Sequence, residues 1–281
     1  MSIKRGGSLK KRYIVGTLIG VLGSLGIVLY NGLIVRNYSI ALDHVKQGEK
    51  IKVVVLADLH SFKYGSHQER LLRKIEQQQP DIIMLVGDIV DDYRPIEGVK
   101  LLLEGLCHSA PIFYVTGNHE ENITELEHVK TFLRSYGVTV LEGEYAQVKV
   151  GNTKVNIGGL SDPYRSYPFQ ETFNELSEAI SKEEGVKILL SHRPEYAELY
   201  KKGKYDLVLS GHAHGGQVRI PGWINGLYAP GQGILPKYAG GYYALNDTTH
   251  FIVSRGLAIY PTLPRVFNPP EIVSITLTGK L

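Results

Sequence analysis

The sequence predicts an α/β protein in which two packed sheets are flanked by helices. Three observations carry this reading. Short apolar, β-branched runs recur at 51–57, 81–86 and 112–115. Stretches with helical patterning separate them, near 66–78, 95–107 and 123–136. After Gly137 the rhythm turns β-rich, with strands expected near 138–150, 153–159, 186–190 and 206–209 and across 242–277. Alternating strands and helices followed by β-rich segments are the pattern of layered sheets with helices outside.

In chain order, residues 1–13 are a basic tail. Ile14 to Val35 form a run of 22 residues with no acid or base before Arg36. About 20 such residues span a bilayer's hydrocarbon core. Its five glycines suit a membrane helix better than a soluble one. Residues 14–35 are therefore expected to be a transmembrane helix or signal anchor, and 36–50 a stalk. The preceding bases favour a single-pass protein with its body outside the cytoplasm. A cleaved export signal ending at Ser39-Ile40-Ala41 and a buried soluble helix are the competing readings.

The remaining residues, 51–281, read as one domain. Ile51–Ala57 opens it as a buried strand. Ser66-x-x-Glu69 has capping-box spacing and should start the first helix, which Pro80 ends. Asp81–Val86 is the second strand and Ile112–Val115 the third. A helix near 170–182 and another between 190 and 206 complete the alternation.

The chain has 281 residues, 43% hydrophobic and 21% charged, enough to build a full core. One cysteine, Cys107, excludes an internal disulfide and any cysteine-rich zinc or iron–sulfur site. The net charge of +3 is uneven. Residues 1–36 carry six bases and no acid; the rest carries 25 bases against 28 acids. No nucleic-acid-binding surface is expected on the body.

The chemistry falls at strand ends. The first strand leads into Asp58-Leu-His60, the second into Gly87-Asp88-Ile-Val-Asp91, the third into Gly117-Asn118-His119-Glu120. The strands at 186–190 and 206–209 lead into His192 and Gly211-His212-Ala-His214. Carboxyl ends of strands form the ligand crevice of open α/β sheets. Oxygen donors mixed with imidazole, and no thiolate, suit Mn, Fe or Zn. The donors are too many for one ion, and a carboxylate such as Asp88 can bridge two. Glu120 reads as a helix-start acid rather than a catalyst. Arg219, Arg255 and Arg265 could each meet an anionic substrate or form salt bridges. Gly222–Tyr228, with Tyr238, Tyr242 and Tyr243, could form an aromatic, lipid-facing lip.

The ordered set Asp-x-His, Gly-Asp-x-x-Asp, Gly-Asn-His-Glu, His, Gly-His-x-His resembles the calcineurin-like metallophosphoesterase superfamily over residues 51–215. The segments 214–221, 254–256 and 265–271 are similar to its membrane-linked YaeI/YkuE-type phosphodiesterase subgroup. The resemblance implies a four-layer αββα sandwich of two mixed sheets with two divalent or trivalent metal ions. Asp58, His60, Asp88 and His214 would hold one; Asp88, Asn118, His192 and His212 the other. His119 would stand beside the scissile phosphate and Asp91 would support it. In phosphoprotein phosphatases of this superfamily an arginine follows that second acid; here Asp92 does, which argues against that branch.

The activity expected is hydrolysis of a phosphoester, foremost a phosphodiester, by metal-activated hydroxide. Its substrate could be lipid-linked. The alternatives are a nucleotide-diphosphate-lipid pyrophosphohydrolase and, in a different class, a non-catalytic metal-stabilised binding module.

Overall fold

The computed structural model describes residues 17, 23, 26, 28–164, 167–260 and 263–280. The basic tail 1–13 lies outside the described residues, as does half of the expected membrane span 14–35. Among the described residues no helix is long and apolar enough to cross a membrane.

The strands of the first sheet are β1 (Ile34–Leu42), β2 (Lys50–Leu56), β3 (Ile82–Val86), β4 (Ile112–Val115), β5 (Val138–Val140) and β14 (Glu271–Gly279). Their order is β1-β14-β2-β3-β4-β5. β14 runs antiparallel to β2, and the other neighbours are parallel. The second sheet holds β6 (Tyr145–Val150), β7 (Thr153–Leu160), β8 (Val186–Ser191), β9 (Leu207–Ser210), β12 (Gly241–Ala244) and β13 (His250–Val253). Its order is β12-β13-β9-β8-β7-β6, with antiparallel strands only at the two edges. A two-stranded ribbon of β10 (Tyr228–Ala229) and β11 (Gly233–Ile234) lies apart. Both large sheets are mixed, as expected.

Strand alternation sends one face of each sheet inward. Val53, Val55, Met84, Val86 and Val115 meet Ile157, Ile188, Leu190 and Leu209 in an apolar core between the sheets. The opposite face of the first sheet, with Val54, Leu56, Ile83 and Leu85, is covered by α1 (Glu69–Glu76), α2 (Glu97–Leu106) and α4 (Leu126–Ser135). These present Leu71, Ile75, Val99, Leu102, Leu103 and Leu133 at helical spacing. On the second sheet, α5 (Phe169–Ser181) buries Phe169, Phe173, Leu176 and Ile180 over Leu189, Val208 and Phe251. The layers are therefore helix, sheet, sheet, helix. The short helices α3 (Asn118–Glu121) and α6 (Ala197–Tyr200) follow β4 and β8.

Two local expectations are corrected. The first helix begins at Glu69, not Ser66. Ser66 makes no capping box; its hydroxyl meets the His67 ring, and Glu69 accepts the His67 backbone N–H. The expected stalk 36–50 is largely strand. β1 pairs with β14 along its whole length, from Ile34 opposite Glu271 to Leu42 opposite Gly279, so the fold begins before residue 36. That pairing satisfies the backbone of a segment that a stalk would leave to water.

Candidate metal centre

β2, β3, β4, β8 and β9 point their carboxyl ends toward one place, where Asp58, His60, Asp88, His192, His212 and His214 gather; Asn118 opens the short helix that follows β4. Their backbones interlock first. Asp58 N–H donates to Gly87 O at 3.0 Å, and His60 N–H to Asp88 O at 2.8 Å. The backbone N–H of His212 donates to Asp58 Oδ1, and that of His119 to Asp88 Oδ1, both at 2.9 Å. Asp58, His60, Asp88, His212 and His214 all have φ between +47° and +65°. Non-glycine residues rarely adopt that region, and such strain gathers at functional sites. The glycines beside these residues are needed for close approach. A Cβ on Gly117 would strike Asp88 Oδ1, and one on Gly87, whose φ is +73°, would strike the His192 ring.

Asp88 is shared between two clusters of ligand atoms. It stands with His60 and His119 in one, and with His192 and His212 in another; Asp58, His60 and His214 form a third. Asp88 Oδ2 lies 3.1 Å from His192 Nε2 and 3.7 Å from His60 Nε2. The ring tautomers are set from behind. His192 Nδ1–H donates to the Val86 carbonyl at 2.9 Å, because a carbonyl can only accept. His60 Nδ1–H donates to Asp91 Oδ2 at 3.2 Å. Each Nε2 lone pair then faces inward, the arrangement in which a histidine ligates a metal while its other nitrogen is anchored.

The residues fit a pair of metal ions. Asp58 Oδ2, His60 Nε2, Asn118 Oδ1, His192 Nε2, His212 Nε2 and His214 Nδ1 are all buried without a hydrogen-bond partner. Orphaned buried polar atoms are costly, and here six belong to the expected ligand set. Burial holds His212 down to about 2 and also lowers His214, so both rings are neutral donors. Burial works against a proton on His192, but Asp88 and Asp58 outweigh it and raise that group. Burial pushes Asp58 up to about 6. For Asp88 the same penalty is outweighed by His192, and its carboxyl falls below the ordinary range.

His119 is half-buried beside this set, its ring edge-on to His60 at 4.4 Å between centroids. The expected support from Asp91 is corrected. His119 Nδ1 meets Asp92 Oδ1 at 2.7 Å, whereas Asp91 holds His60. Both oxygens of Asp91 are engaged elsewhere: Oδ1 accepts the backbone N–H groups of Tyr93 and Arg94 and Oδ2 meets His60, so Asp91 stays close to His119 without bonding it.

Three partners escaped sequence reading. Glu120 is fully buried and accepts the backbone N–H groups of Asp88, Ile89, Val90 and Gly117. Arg94 donates to the His60 carbonyl at 3.1 Å and lies over the Tyr260 ring at 4.8 Å. Arg193 pairs with Asp162 through two hydrogen bonds beside His192. Glu120 is legible only as a helix-start acid, a place it keeps by accepting the Gly117 N–H ahead of α3; no local signal marks its other contacts, Arg94 or Arg193. Arg265, weighed as an anion contact, is buried and spends its guanidinium on the carbonyls of Arg255, Gly256 and Ala258. Of the expected aromatic lip, Trp223, Tyr228 and Tyr242 are exposed, but Tyr238 is buried against Phe251.

Next to His119 and His214 a cavity of about 540 Å³ opens, walled by Tyr93, Arg94, Tyr228, Pro230, Tyr260 and Leu263. It is large enough for an organic group and mostly apolar in its lining residues.

A family model described as calcineurin-like phosphoesterase matches residues 51–216. An uncharacterized metallophosphoesterase of Helicobacter pylori is 30% identical, covering 97% of this chain and 72% of its own length. The phosphodiesterase YaeI of Escherichia coli is 28% identical over 80% of this chain and 82% of its own. Among solved structures, the NAD nucleotidase of Haemophilus influenzae shares the fold, with a TM-score of 0.50 at 16% identity, over 74% of this chain and 45% of that one.

Proposed function

The chain belongs to the calcineurin-like phosphoesterase family, and from that premise we propose that it is a metal-dependent phosphodiesterase. The observation that carries the reading is the position of Asp88 between two histidine clusters, with His119 at the mouth of an aromatic-walled cavity. Asp58, His60, Asp88 and His214 would hold one ion, and Asp88, Asn118, His192 and His212 the other. Bound there, the ions would supply charge neutralisation at phosphate and an activated water for in-line attack.

The rest falls to the side chains. His119 donates a proton to the departing oxygen, and Asp92 orients its ring. The cavity beside it takes the organic group that a diester carries and a monoester lacks. Tyr260 and Arg94 close one wall and keep water from that side of the reacting phosphate. The similarity to YaeI supports a diester rather than a monoester substrate. The apolar run 14–35, with bases ahead of it, supports a membrane-anchored protein whose body lies outside the cytoplasm. Exposed Tyr93, Tyr228 and Leu263 at the cavity suit a lipid-linked substrate.

Hydrolysis of a bis-aryl phosphate and a mono-aryl phosphate, each with and without added Mn²⁺, tests the activity. Mn²⁺-dependent turnover of the diester in preference to the monoester is expected. Preference for the monoester would overturn the substrate class. Inactivity on both after metal loading would favour a binding module. Protease access to the body in intact cells tests the side of the membrane.

A further inference from the structure

Away from the metal-binding residues, three arginines converge on one cavity. Arg36 lies on β1, Arg219 follows the His212–His214 segment, and Arg255 follows β13. The cavity measures about 580 Å³, and Trp223 and Asn225 also line it. None of its lining residues belongs to the expected ligand set or to the cavity beside His119.

The carboxylate set among these cations is Glu271, fully buried. Its Oε2 lies 3.4 Å from Arg255 Nε and 3.8 Å from Arg36 Nε. Three guanidinium groups thus share one carboxylate, which leaves an excess of positive charge. Arg36 Nε and Arg255 Nε both face Glu271 Oε2 without closing a hydrogen bond, which leaves their terminal nitrogens for another anion. Arg219, itself 8% exposed, spends two nitrogens on the Gly215 carbonyl and on Asn225. Burial, and then the neighbouring Arg255, pull Arg219 down to about 10. Guanidinium forks with free donors match the oxygens of a phosphate group.

The surroundings say which phosphate. Trp223 stands 89% exposed at the rim, next to Ile220 at 43%. Phe267, another lining residue, donates its backbone N–H to the Val28 carbonyl at 2.8 Å. Ile34 N–H donates to Pro270 O at 3.0 Å. The end of the apolar run 14–35 is therefore fastened to the cavity wall. An exposed tryptophan, a cluster of cations and the end of a hydrophobic segment are the features of a site at a membrane surface.

We propose that Arg36, Arg219 and Arg255 form a binding site for the headgroup phosphate of an anionic phospholipid. The site holds the body against the bilayer and does not depend on the catalytic reading above.

Trp223 is the chain's single tryptophan, so its emission reports on the rim alone. The full chain in non-ionic micelles is titrated with dihexanoyl phosphatidylglycerol, with dihexanoyl phosphatidylcholine, and with inorganic phosphate. A saturable emission change with phosphatidylglycerol, and none with the other two at equal concentration, is expected. Arg36→Gln and Arg255→Gln should each raise the midpoint about tenfold, as loss of a charge-assisted contact does, while bis-aryl phosphate turnover stays unchanged. Equal responses to both lipids, or wild-type midpoints in both variants, would overturn the proposal. The same change with inorganic phosphate would overturn the lipid as its occupant.

Discussion

His119 Nδ1 and Asp92 Oδ1 stand 2.7 Å apart, and the other oxygen of Asp92 accepts Asn122 Nδ2 at 2.6 Å. The Asp92 carboxylate is thus pinned from behind, and the His119 ring is pinned by the carboxylate. Burial disfavours a proton on His119, but Asp88 and Asp92 outweigh it and raise the group above the ordinary imidazole range. Asp92→Asn should lower kcat by about 10- to 100-fold, the usual cost of losing an orienting carboxylate. The loss should be larger for a poor alkoxide leaving group than for nitrophenolate, since only the former needs a proton. Asp92→Asn removes negative charge and lowers the pKa of His119. The alkaline limb of the pH–rate profile should therefore move to lower pH. Equal losses across leaving groups with an unmoved limb would mean that Asp92 acts only through the fold.

Asp91 has the other task. Its Oδ2 fixes the His60 ring through Nδ1 at 3.2 Å and so aims Nε2 at Asp88. Asp91→Asn should weaken metal affinity by about 10- to 100-fold, with kcat recovering when Mn²⁺ is raised to saturation. Titration of the chelated protein with Mn²⁺, followed by activity, separates this variant from Asp92→Asn. If kcat stayed low at saturating metal, Asp91 would have a role in turnover itself.

The division between these neighbouring acids shows where sequence reading stops. The strand ends and their motifs are legible because apolar, β-branched runs stop at Asp58, Asp88 and Asn118, so the candidate ligands follow from local pattern. Which of two adjacent carboxylates reaches His119 depends on the turn that Tyr93 N–H and Arg94 N–H make on Asp91, a contact with no composition signal. β1 was hidden for a different reason. Ile34 and Val35 continue an apolar run, and the partner strand begins at Glu271, far along the chain. Glu120 was legible as an acid at a helix start but not as a buried clamp, because its four partners belong to two separate loops.

Metal removal should be felt in stability as well as in rate. Asp58, His60, Asp88, His212 and His214 hold left-handed backbone, and six buried atoms of the candidate ligands lack hydrogen-bond partners. Each bound ion stabilises the fold by about 2.7 kcal/mol when its concentration is 100 times Kd. Chelation should therefore lower Tm by several degrees, and readdition of Mn²⁺ should restore it. An unchanged Tm after chelation, verified by elemental analysis, would mean that these residues are satisfied without ions.

Glu120 gives the sharpest separation of scaffold from chemistry. Its two oxygens accept four backbone N–H groups at 2.6 to 2.8 Å, three from the Asp88 loop and one from Gly117. It thereby ties the end of β3 to the end of β4, the two loops that carry Asp88 and Asn118. Burial and the nearby Asp88 push its carboxyl up to about 7, against the pull of the Val90 and Gly117 amides. Glu120→Gln keeps the volume but turns one acceptor into a donor facing N–H groups. Two backbone donors then lose their partner, at a cost of about 3 kcal/mol. Urea unfolding in chelator should show that loss without any contribution from bound ions. At saturating Mn²⁺ the folded variant should retain most of its kcat, because Glu120 touches neither substrate nor ion. A wild-type unfolding midpoint with a large drop in kcat would reverse the assignment and place Glu120 in the reaction.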